Sequence, residues 1–289
     1  MSKKAESSPP KALILNGGED FVGKSRPAVE LSRALQKTML RLKGECMDED
    51  GKKIHYDQLT AFPVFSEYKK LALELQKTSL EGMSEDERKV FFINVYNALT
   101  IHGLADMTEK GGEIPSSVLD IQQFWMRVSY KIAGMVYSLD DIEHGILRAN
   151  RPHPSSTTPP FGKDDPRLKF SLSKLDPRVH FALVCGAKSC PAINVYSASN
   201  LDAALTAATK NFCRQEVMMI LETEEIWLSK IFQWYSSDFG FTDIDVIRWT
   251  IPYLDEDQQE KGELLLYKLE SLGKVDIKYN PYDWSLNKS

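Results

Sequence analysis

The chain has 289 residues, of which 42% are hydrophobic and 27% are charged, and this composition can bury the core of one large domain or two smaller ones. Its 36 basic and 41 acidic residues give a net charge of −5, which excludes the basic surface expected of a nucleic-acid-binding protein. No stretch approaches the roughly 20 apolar residues of a membrane-spanning helix, and no basic amphipathic segment indicates binding at a membrane surface.

The N-terminus and the cysteines indicate the compartment. Residues 1–10 are polar and lack the apolar run of a secretory signal peptide. Four cysteines in a chain of this length are too sparse for a disulfide scaffold. We therefore expect a soluble, cytoplasmic protein in a reducing environment.

The first 80 residues are predicted to be a tail followed by helices. Residues 1–27 contain a Ser-Pro-Pro run and a Gly-Gly pair, which predict a flexible tail in which only Leu13–Leu15 is expected to dock. Apolar residues then recur at helical spacing, so residues 28–80 are predicted to be a helical extension. The helices expected there cover residues 28–42, 56–60 and 66–76.

A buried helix is predicted directly after this extension. Ser84–Glu87 has the pattern of a capping box, and the run from Val90 to Leu104 is apolar almost all round. Asn94 and Asn97 are three residues apart and so share one face of this helix. Because buried amides must be hydrogen-bonded, they either hold backbone groups or contact a substrate.

The remaining residues, 81–289, are predicted to form one α+β domain. A hairpin is expected over 128–137, and a strand is expected over 179–185. Residues 150–177 contain six prolines and are interpreted as a long surface excursion, which could act as a lid. The other expected elements are helices at 139–149, 201–215, 242–254 and 257–272 and strands at 217–221, 226–228 and 275–279. The predicted fold is therefore a helix-rich single domain with a small, mostly antiparallel sheet.

The most unusual chemistry lies in the segment from Asp176 to Pro191, which contains His180, Cys185 and Cys190. On a strand, His180 and Cys185 would point to opposite faces, so His180 would not be the base for Cys185. Cys190 follows a glycine-containing turn and can fold back beside His180 or another histidine. A cysteine nucleophile needs such a neighbour to form its thiolate. The N–H groups of residues 186–189 are candidate oxyanion donors.

A second candidate group lies in the predicted helix at 139–149. His144 can act as a base there, because a neighbouring carboxylate, Glu143 or Asp141, would orient its ring and raise its basicity. The same residues, together with Arg148, fit an ion-pair network on a helix surface equally well.

The other candidate residues have structural interpretations too. Buried cysteines usually act as small hydrophobes, and a histidine in an apolar strand is more often a core residue than a catalyst. Asp238, in an aromatic turn, is expected to cap the helix that starts near Thr242. The spacing of the two cysteines is only weak evidence for a zinc site, and it is not the CxxC spacing of redox sites. A disulfide between them is nevertheless geometrically possible. No Walker loop, GxGxxG, GxSxG or HExxH pattern occurs, so no cofactor or metal is predicted.

Several of these stretches together resemble the domain of unknown function 547 family, over about residues 87–287. Residues 232–239 and 282–287 fit the resemblance. The motifs that carry it, in the family's order, are Phe92-Ile-Asn-Val-Tyr-Asn-Ala-Leu-Thr100, Leu139-Asp-Asp-Ile-Glu-His-Gly-Ile-Leu-Arg148 and His180-Phe-Ala-Leu-Val-Cys-Gly-Ala-Lys-Ser-Cys-Pro191.

The resemblance implies little about activity. Some members carry the domain beside glutaredoxin-like or signalling-adaptor modules, which implies thiol chemistry or scaffolding. A distant similarity to papain-like and transglutaminase-like folds implies that a cysteine, a histidine and an acid or amide cooperate. Those folds place the cysteine at the start of the central helix, whereas the comparable helix here offers Asn94 and Asn97.

The favoured prediction is a cysteine-dependent hydrolase or acyl/thiol transferase that acts on a small molecule or a peptide. The predicted site residues are Cys190 or Cys185 as nucleophile, His144 or His180 as base, Glu143 or Asp141 as orienting acid, and Asn94 or Asn97 as amide donor. One alternative is a non-catalytic module that binds a protein partner. The other is a metal or redox thiol site.

Overall fold

Helices carry most of the fold in the computed structural model of this protein, which describes residues 11–46, 55–109, 115–191, 194 and 196–288. Residues 1–10 of the predicted tail and residues 47–54 of the predicted helical extension lie outside these ranges. The α-helices are α1 (Ala28–Glu45), α2 (Tyr56–Leu59), α3 (Pro63–Glu74), α4 (Glu85–Glu109), α5 (Phe124–Arg127), α6 (Leu201–Glu216), α7 (Lys230–Trp234), α8 (Ser236–Phe239), α9 (Asp243–Thr250) and α10 (Glu256–Leu272). None of the helices in these ranges is both long and apolar enough to cross a membrane.

Helix α4 is the central element, and its sequence accounts for its start and its burial. Ser84 Oγ accepts the N–H of Glu87 at 3.2 Å, and Glu87 Oε2 accepts the N–H of Ser84 at 2.8 Å, which is the predicted capping box. From Val90 to Ala105 the side chains are buried all round the helix. Helix α1 packs along α4, so the predicted helical extension joins the same apolar core.

The strands of the described residues form two three-stranded sheets, each with one parallel and one antiparallel pair. They are β1 (Leu13–Ile14), β2 (Val128–Ile132), β3 (Met135–Ser138), β4 (Met218–Ile220), β5 (Glu225–Leu228) and β6 (Asp276–Tyr279). The predicted hairpin is β2 and β3, which turn at Ala133 and Gly134. The predicted helix-rich α+β fold is confirmed. The expected single, mostly antiparallel sheet is corrected to two mixed sheets, because β1 and β6 each add a parallel edge.

Two apolar clusters fill the interior, and the segment after Pro177 lies where they meet. One cluster is built around α1, α3, α4, β2 and β3, and the other around α6, α9, α10, β4 and β5. Val179 and Ala182 belong to the first cluster, whereas Phe181 belongs to the second. His180 is therefore held at the junction of the two clusters.

The predicted strand at 179–185 is wrong. Pro177–Phe181 is a short 3₁₀-helix, and Asp176 caps it by accepting the N–H of Arg178. Residues 182–185 follow it without joining either sheet of the described chain. The expectation that His180 and Cys185 point to opposite faces of a strand therefore does not apply.

Asn97 of α4 explains why no strand forms there. Its amide Nδ2 donates to the carbonyl oxygen of Ala182 at 2.9 Å, and its Oδ1 accepts the N–H of Val184 at 2.9 Å. One buried side chain thus supplies the two backbone hydrogen bonds that a neighbouring strand would otherwise provide.

The predicted helix at 139–149 contains a π-helix over Asp141–Leu147. The N–H of Arg148 donates to the carbonyl oxygen of Glu143 at 2.8 Å, five residues back. Such wide turns are rare and occur frequently at functional sites. The buried ring of Phe161 packs directly over Gly145, where any side chain would collide with it. This contact anchors the proline-rich excursion to the π-helix.

Candidate active site

A cavity of about 280 Å³ brings most of the predicted site residues together. Its lining side chains come from α4, the π-helix, the segment after Pro177, α7 and the C-terminal residues. The predicted site residues that line it are Glu143, His144, His180, Cys185 and Cys190. Residues from two distant parts of the sequence thus share one cavity, as the favoured prediction requires.

The two predicted amide donors lie outside the cavity lining. Asn94 donates to the carbonyl oxygen of Tyr196 at 3.0 Å and accepts the N–H of Tyr196 at 3.3 Å. Asn97 holds the backbone just before Cys185, as described above. Both amides are fully buried, and they fix the chain on either side of the cysteine loop. In this structure their role is to position that loop.

Cys185 and Cys190 form a disulfide in the cavity wall, with their Cα atoms 6.2 Å apart. The N–H of Cys185 donates to Sγ of Cys190 at 3.0 Å. The Tyr282 hydroxyl lies 3.5 Å from Sγ of Cys190 and 3.6 Å from Sγ of Cys185. Both cysteines are partly exposed, whereas Cys46 and Cys213 are buried. Burial also raises the pKa of the Cys213 thiol.

The backbone of the cysteine loop is paired with the C-terminal segment. The N–H of Lys188 donates to the carbonyl oxygen of Ser285 at 2.9 Å, and the N–H of Ser189 donates to that of Asp283 at 3.3 Å. The N–H of Cys190 donates within the loop to Ala187 at 3.1 Å. The prediction that the loop N–H groups serve as oxyanion donors is therefore wrong for Lys188 and Ser189, because the C-terminal segment already accepts from them.

His180 is held by a carboxylate that leaves one ring nitrogen available. Its Nε2 lies 2.8 Å from Oδ2 of Asp238. Burial opposes ionisation of Asp238, but hydrogen bonds from His180 and Arg148 outweigh it and hold the pKa of this carboxyl far below its usual range. Because an ionised carboxylate only accepts hydrogen bonds, Nε2 carries the proton and Nδ1 has a free lone pair. In the described part of the chain Nδ1 has no hydrogen-bond partner, and the ring lines the cavity.

Asp238 was missed as a site residue. Its side chain is 0% exposed, and it accepts Nε of Arg148 at 2.6 Å, Nη2 of Arg148 at 3.0 Å and Nη1 of Arg151 at 3.1 Å. The predicted helix-capping role is wrong, because Thr242 itself caps α9 by accepting the N–H of Asp245. The available signal was a carboxylate within an aromatic turn, where a buried charge needs cationic partners.

His144 is held in the opposite tautomer. Arg148 Nη1 lies 2.8 Å from Nδ1 of His144, and a guanidinium can only donate, so Nδ1 accepts and Nε2 carries the proton. Burial lowers the pKa of His144 to about 4, the charge of Glu143 raises it in part, and Arg148 lowers it further. The imidazole is therefore neutral at physiological pH and is a poor base.

Glu143 is a buried carboxylate between two tyrosines. Its Oε1 accepts the Tyr235 hydroxyl at 2.8 Å, and its Oε2 accepts the Tyr96 hydroxyl at 3.1 Å. Burial opposes its ionisation, but electrostatic interactions with His144 and His180 and the Tyr235 hydrogen bond lower its pKa below the usual range. Asp141, the other predicted orienting acid, lies away from the cavity and pairs with Arg167 at 2.9 Å.

Asp140 is a second acid of the cavity that sequence reasoning did not select. Burial, followed by the charges of Glu143 and Asp141, raises the pKa of Asp140 to about 7. A carboxyl whose pKa is raised on folding holds its proton more tightly in the folded protein. The stability that it contributes is complete below the unfolded pKa of 3.8 and is lost as the pH rises through about 7.

We expect Asp140→Asn to match the wild type in stability near pH 4 and to exceed it increasingly up to about pH 7, by up to about 4 kcal/mol. Asparagine keeps the shape of the side chain but cannot ionise. His144 changes stability in the opposite direction over part of this window, but it is present in both proteins and does not determine their difference. Urea denaturation of both proteins across this pH range measures the effect.

The matched control is Asp164→Asn, which removes an exposed acid. Its stability difference from the wild type should stay flat across the same pH range. If the stability difference between Asp140→Asn and the wild type also stayed constant across this pH range, the raised pKa of Asp140 would be contradicted.

Aromatic rings form another wall of the cavity. The ring centroids of Trp234 and Tyr282 are 5.1 Å apart, those of Tyr282 and Trp284 are 4.6 Å apart, and those of Trp125 and Trp284 are 6.0 Å apart. Such a wall favours an apolar or planar group of a ligand. In the described ranges no group of three or more His, Cys, Asp and Glu side chains is arranged to hold a metal ion.

Residues 80–213 match the sequence model of a family described as "Protein of unknown function, DUF547". The predicted resemblance to this family is confirmed over these residues, which are just under half of the chain. Residues 232–239 and 282–287, which carry Asp238 and Tyr282, lie beyond the match. No curated protein and no solved structure matches the chain. The similarity to papain-like and transglutaminase-like folds therefore stays a prediction.

Proposed function

We propose that the protein is a cysteine-dependent hydrolase or acyl transferase, in which Cys190 is the nucleophile and His180, oriented by Asp238, is the base. The observation that carries the proposal is that the two cysteines share one cavity with His180, whose ring is held by Asp238 from behind the lining. A nucleophile, a base and a carboxylate that orients the base are the components of cysteine-based acyl transfer.

The choice of Cys190 follows from its hydrogen bonds. The N–H of Cys185 points at its sulfur from 3.0 Å, and a donor in this position stabilises a thiolate. The Tyr282 hydroxyl is a further donor that reaches both sulfurs. Only Cys190 combines these two donors among the described contacts, so it is the better nucleophile.

The choice of His180 follows from its tautomer. Asp238 accepts from Nε2, so the free lone pair of His180 is on Nδ1, at a ring that lines the cavity. His144 is the weaker candidate, because Arg148 occupies its Nδ1 and its pKa is lowered to about 4. Asp238 takes the orienting role that we had predicted for Glu143 or Asp141.

The reaction begins with reduction of the disulfide. A dithiol reductant gives two electrons and two protons to the disulfide, is itself oxidised to a disulfide and leaves Cys185 and Cys190 as thiols. Nδ1 of His180 then accepts the proton of Cys190, and the thiolate attacks the acyl carbon to form an S–C bond. The leaving group departs with that proton. Water, or an acceptor, then loses a proton to His180, attacks the thioester and releases Cys190.

A second candidate is thiol–disulfide exchange, which the Cys185–Cys190 disulfide itself favours. In that case both sulfurs would take part in every turnover. Either activity suits the cytoplasm that we propose as the compartment, where the reducing thiol pool would supply the electrons.

Alkylation kinetics test the proposal. After reduction, we expect iodoacetamide to label Cys190 in the native protein with an apparent pKa below the roughly 8.5 of a free thiol, while Cys46 and Cys213 stay unlabelled. Replacing His180 by alanine should slow labelling of Cys190 at neutral pH by about tenfold, because the thiolate loses its imidazole neighbour. Peptide mass mapping over a range of pH gives the rate for each cysteine.

The matched control is His153→Ala, which removes another cavity-lining imidazole whose Nδ1 is occupied by Ser155. It should leave the rate for Cys190 within about twofold of the wild type. If Cys190 stays unlabelled until the protein unfolds, the cysteine-enzyme proposal fails and the non-catalytic interaction module becomes the better account.

A further inference from the structure

Attack on an acyl carbon places negative charge on the acyl oxygen, and an enzyme must offer that oxygen a hydrogen-bond donor. The cysteine loop lies nearest the nucleophile, but most of its backbone N–H groups already donate to other acceptors. Lys188 and Ser189 donate to the C-terminal segment, Cys185 donates to Sγ of Cys190, and Cys190 donates to Ala187. Gly186 and Ala187 do not line the cavity, so a donor that faces it comes mainly from a side chain.

His144 is such a donor, because its protonated nitrogen is fixed by its neighbours. Arg148 donates to Nδ1 at 2.8 Å, and Arg148 is itself held by two hydrogen bonds to the enclosed carboxylate of Asp238. The guanidinium therefore cannot turn away, and the proton of the ring stays on Nε2.

The Nε2–H group of His144 belongs to a buried ring that lines the cavity, and it has no hydrogen-bond partner in the described chain. The side chain is 3% exposed. The nearest carboxylate oxygen, Oδ1 of Asp140, is 3.8 Å from Nε2, which is too far for a hydrogen bond. An N–H group on an otherwise enclosed ring, at a cavity and without a protein partner, is available to a ligand that offers an acceptor.

We infer that His144 donates a hydrogen bond through Nε2–H to the acyl oxygen of the substrate. The inference rests on the proposed function and assigns His144 a role that differs from the predicted one of base. A neutral imidazole suits this role, because it stabilises the oxyanion without giving up its proton. The acyl group of the substrate then lies between the cysteine loop and the π-helix, with its remaining part along the aromatic wall.

Other groups around His144 define its setting. Glu143 Oε1 lies 3.9 Å from Nδ1. The ring of His153 meets the His144 ring edge to face, with the centroids 4.9 Å apart, and the Tyr235 ring is stacked on it with the centroids 6.4 Å apart. None of these three groups forms a hydrogen bond with Nε2 in the described chain. Asp140 is the charged group on that side, so a substrate oxygen would compete with it for the same proton.

The first test is a direct view of the tautomer in the reduced wild-type protein. The ¹⁵N chemical shifts of a histidine ring distinguish a protonated from an unprotonated nitrogen. At neutral pH we expect His144 to show a protonated Nε2 and an unprotonated Nδ1. The neutral tautomer with its proton on Nδ1 would overturn the inference, since Nε2 could then only accept.

The second test separates binding from chemistry, with a p-nitrophenyl ester of a short fatty acid as the probe. We expect His144→Ala to lower kcat by about 10²–10³-fold and to change KM little, because the lost hydrogen bond forms only in the transition state. His144→Gln keeps much of the side-chain volume and should fold if the alanine variant does not. We expect its kcat to lie between those of the wild type and His144→Ala.

Iodoacetamide distinguishes the possible failures, because its reaction with a thiolate develops no charge on a carbonyl oxygen. We expect both His144 variants to be alkylated at Cys190 within about threefold of the wild-type rate. If the wild type is acylated at Cys190 but the His144 variants keep a wild-type kcat, this inference fails alone. If Cys190 of the wild type is neither alkylated nor acylated, the proposed function fails and the inference fails with it.

Discussion

Replacing Asp238 by alanine should lower the free energy of unfolding by about 3–5 kcal/mol, the largest loss that we expect from any single change at the site. The guanidinium of Arg148 would remain buried, with 3% of its side chain exposed, after losing a bidentate carboxylate partner. His180 would lose its acceptor in the same step. Urea denaturation monitored by tryptophan fluorescence measures the change.

Arg151→Ala is the matched control, because Arg151 binds the same carboxylate from an exposed position, with 45% of its side chain in solvent. Exposed ion pairs contribute little, so this variant should lose no more than about 1 kcal/mol. A loss for Asp238→Ala that is no larger than that of Arg151→Ala would mean that the buried network does not hold the site together.

Cys190→Ser should lower kcat/KM for a p-nitrophenyl ester by at least about 10³-fold. A serine hydroxyl is far less acidic than a thiol, so the same imidazole leaves it protonated and a poor nucleophile. Cys185→Ser should keep its activity within about tenfold of the reduced wild type. It should also be active without a reductant, since Cys190 can no longer be locked in the disulfide. Initial rates with and without dithiothreitol give the comparison.

The same pair of variants decides between the two candidate functions. Thiol–disulfide exchange needs both sulfurs, so under that mechanism Cys185→Ser and Cys190→Ser would lose turnover of a disulfide substrate alike. Equal loss of ester turnover in the two variants would contradict the nucleophile that we assign.

The elements that could be predicted from the sequence are those that local chemistry determines. Ser84 and Glu87 bond to each other whatever surrounds them, so the start of α4 was predictable. The turn at Ala133 and Gly134 likewise depends on residues that are adjacent in sequence. Five of the predicted site residues also line one cavity, because reactive residue types cluster in two short motifs.

Other features depend on partners that are far away in sequence. β1 pairs in parallel with β2 across more than a hundred residues, and no local pattern identifies that partner. Residues 179–185 have the apolar pattern of a strand, but Asn97 supplies their hydrogen bonds from another element. Asp238 was assigned to the nearest helix start, because its actual partner, Arg148, lies ninety residues earlier.

The tautomers of His144 and His180 are set by their hydrogen-bond partners, so residue type alone could not predict which ring would act as a base. Each is an imidazole near acidic residues, and the sequence favoured either as the base. The structure separates them, because an acceptor faces His180 and a donor faces His144. One ring therefore presents a lone pair and the other presents a proton.

The most direct test of the account is to look for the covalent intermediate on Cys190. Cys185→Ser protein is mixed with a p-nitrophenyl ester, stopped with acid within the first turnover, digested and mapped by mass spectrometry. The account predicts a single acyl group, on the peptide that carries Cys190, and its absence when His180 is also replaced by alanine. An acyl group confined to surface lysines, or no adduct while the ester is still consumed at the wild-type rate, would contradict a Cys190 nucleophile.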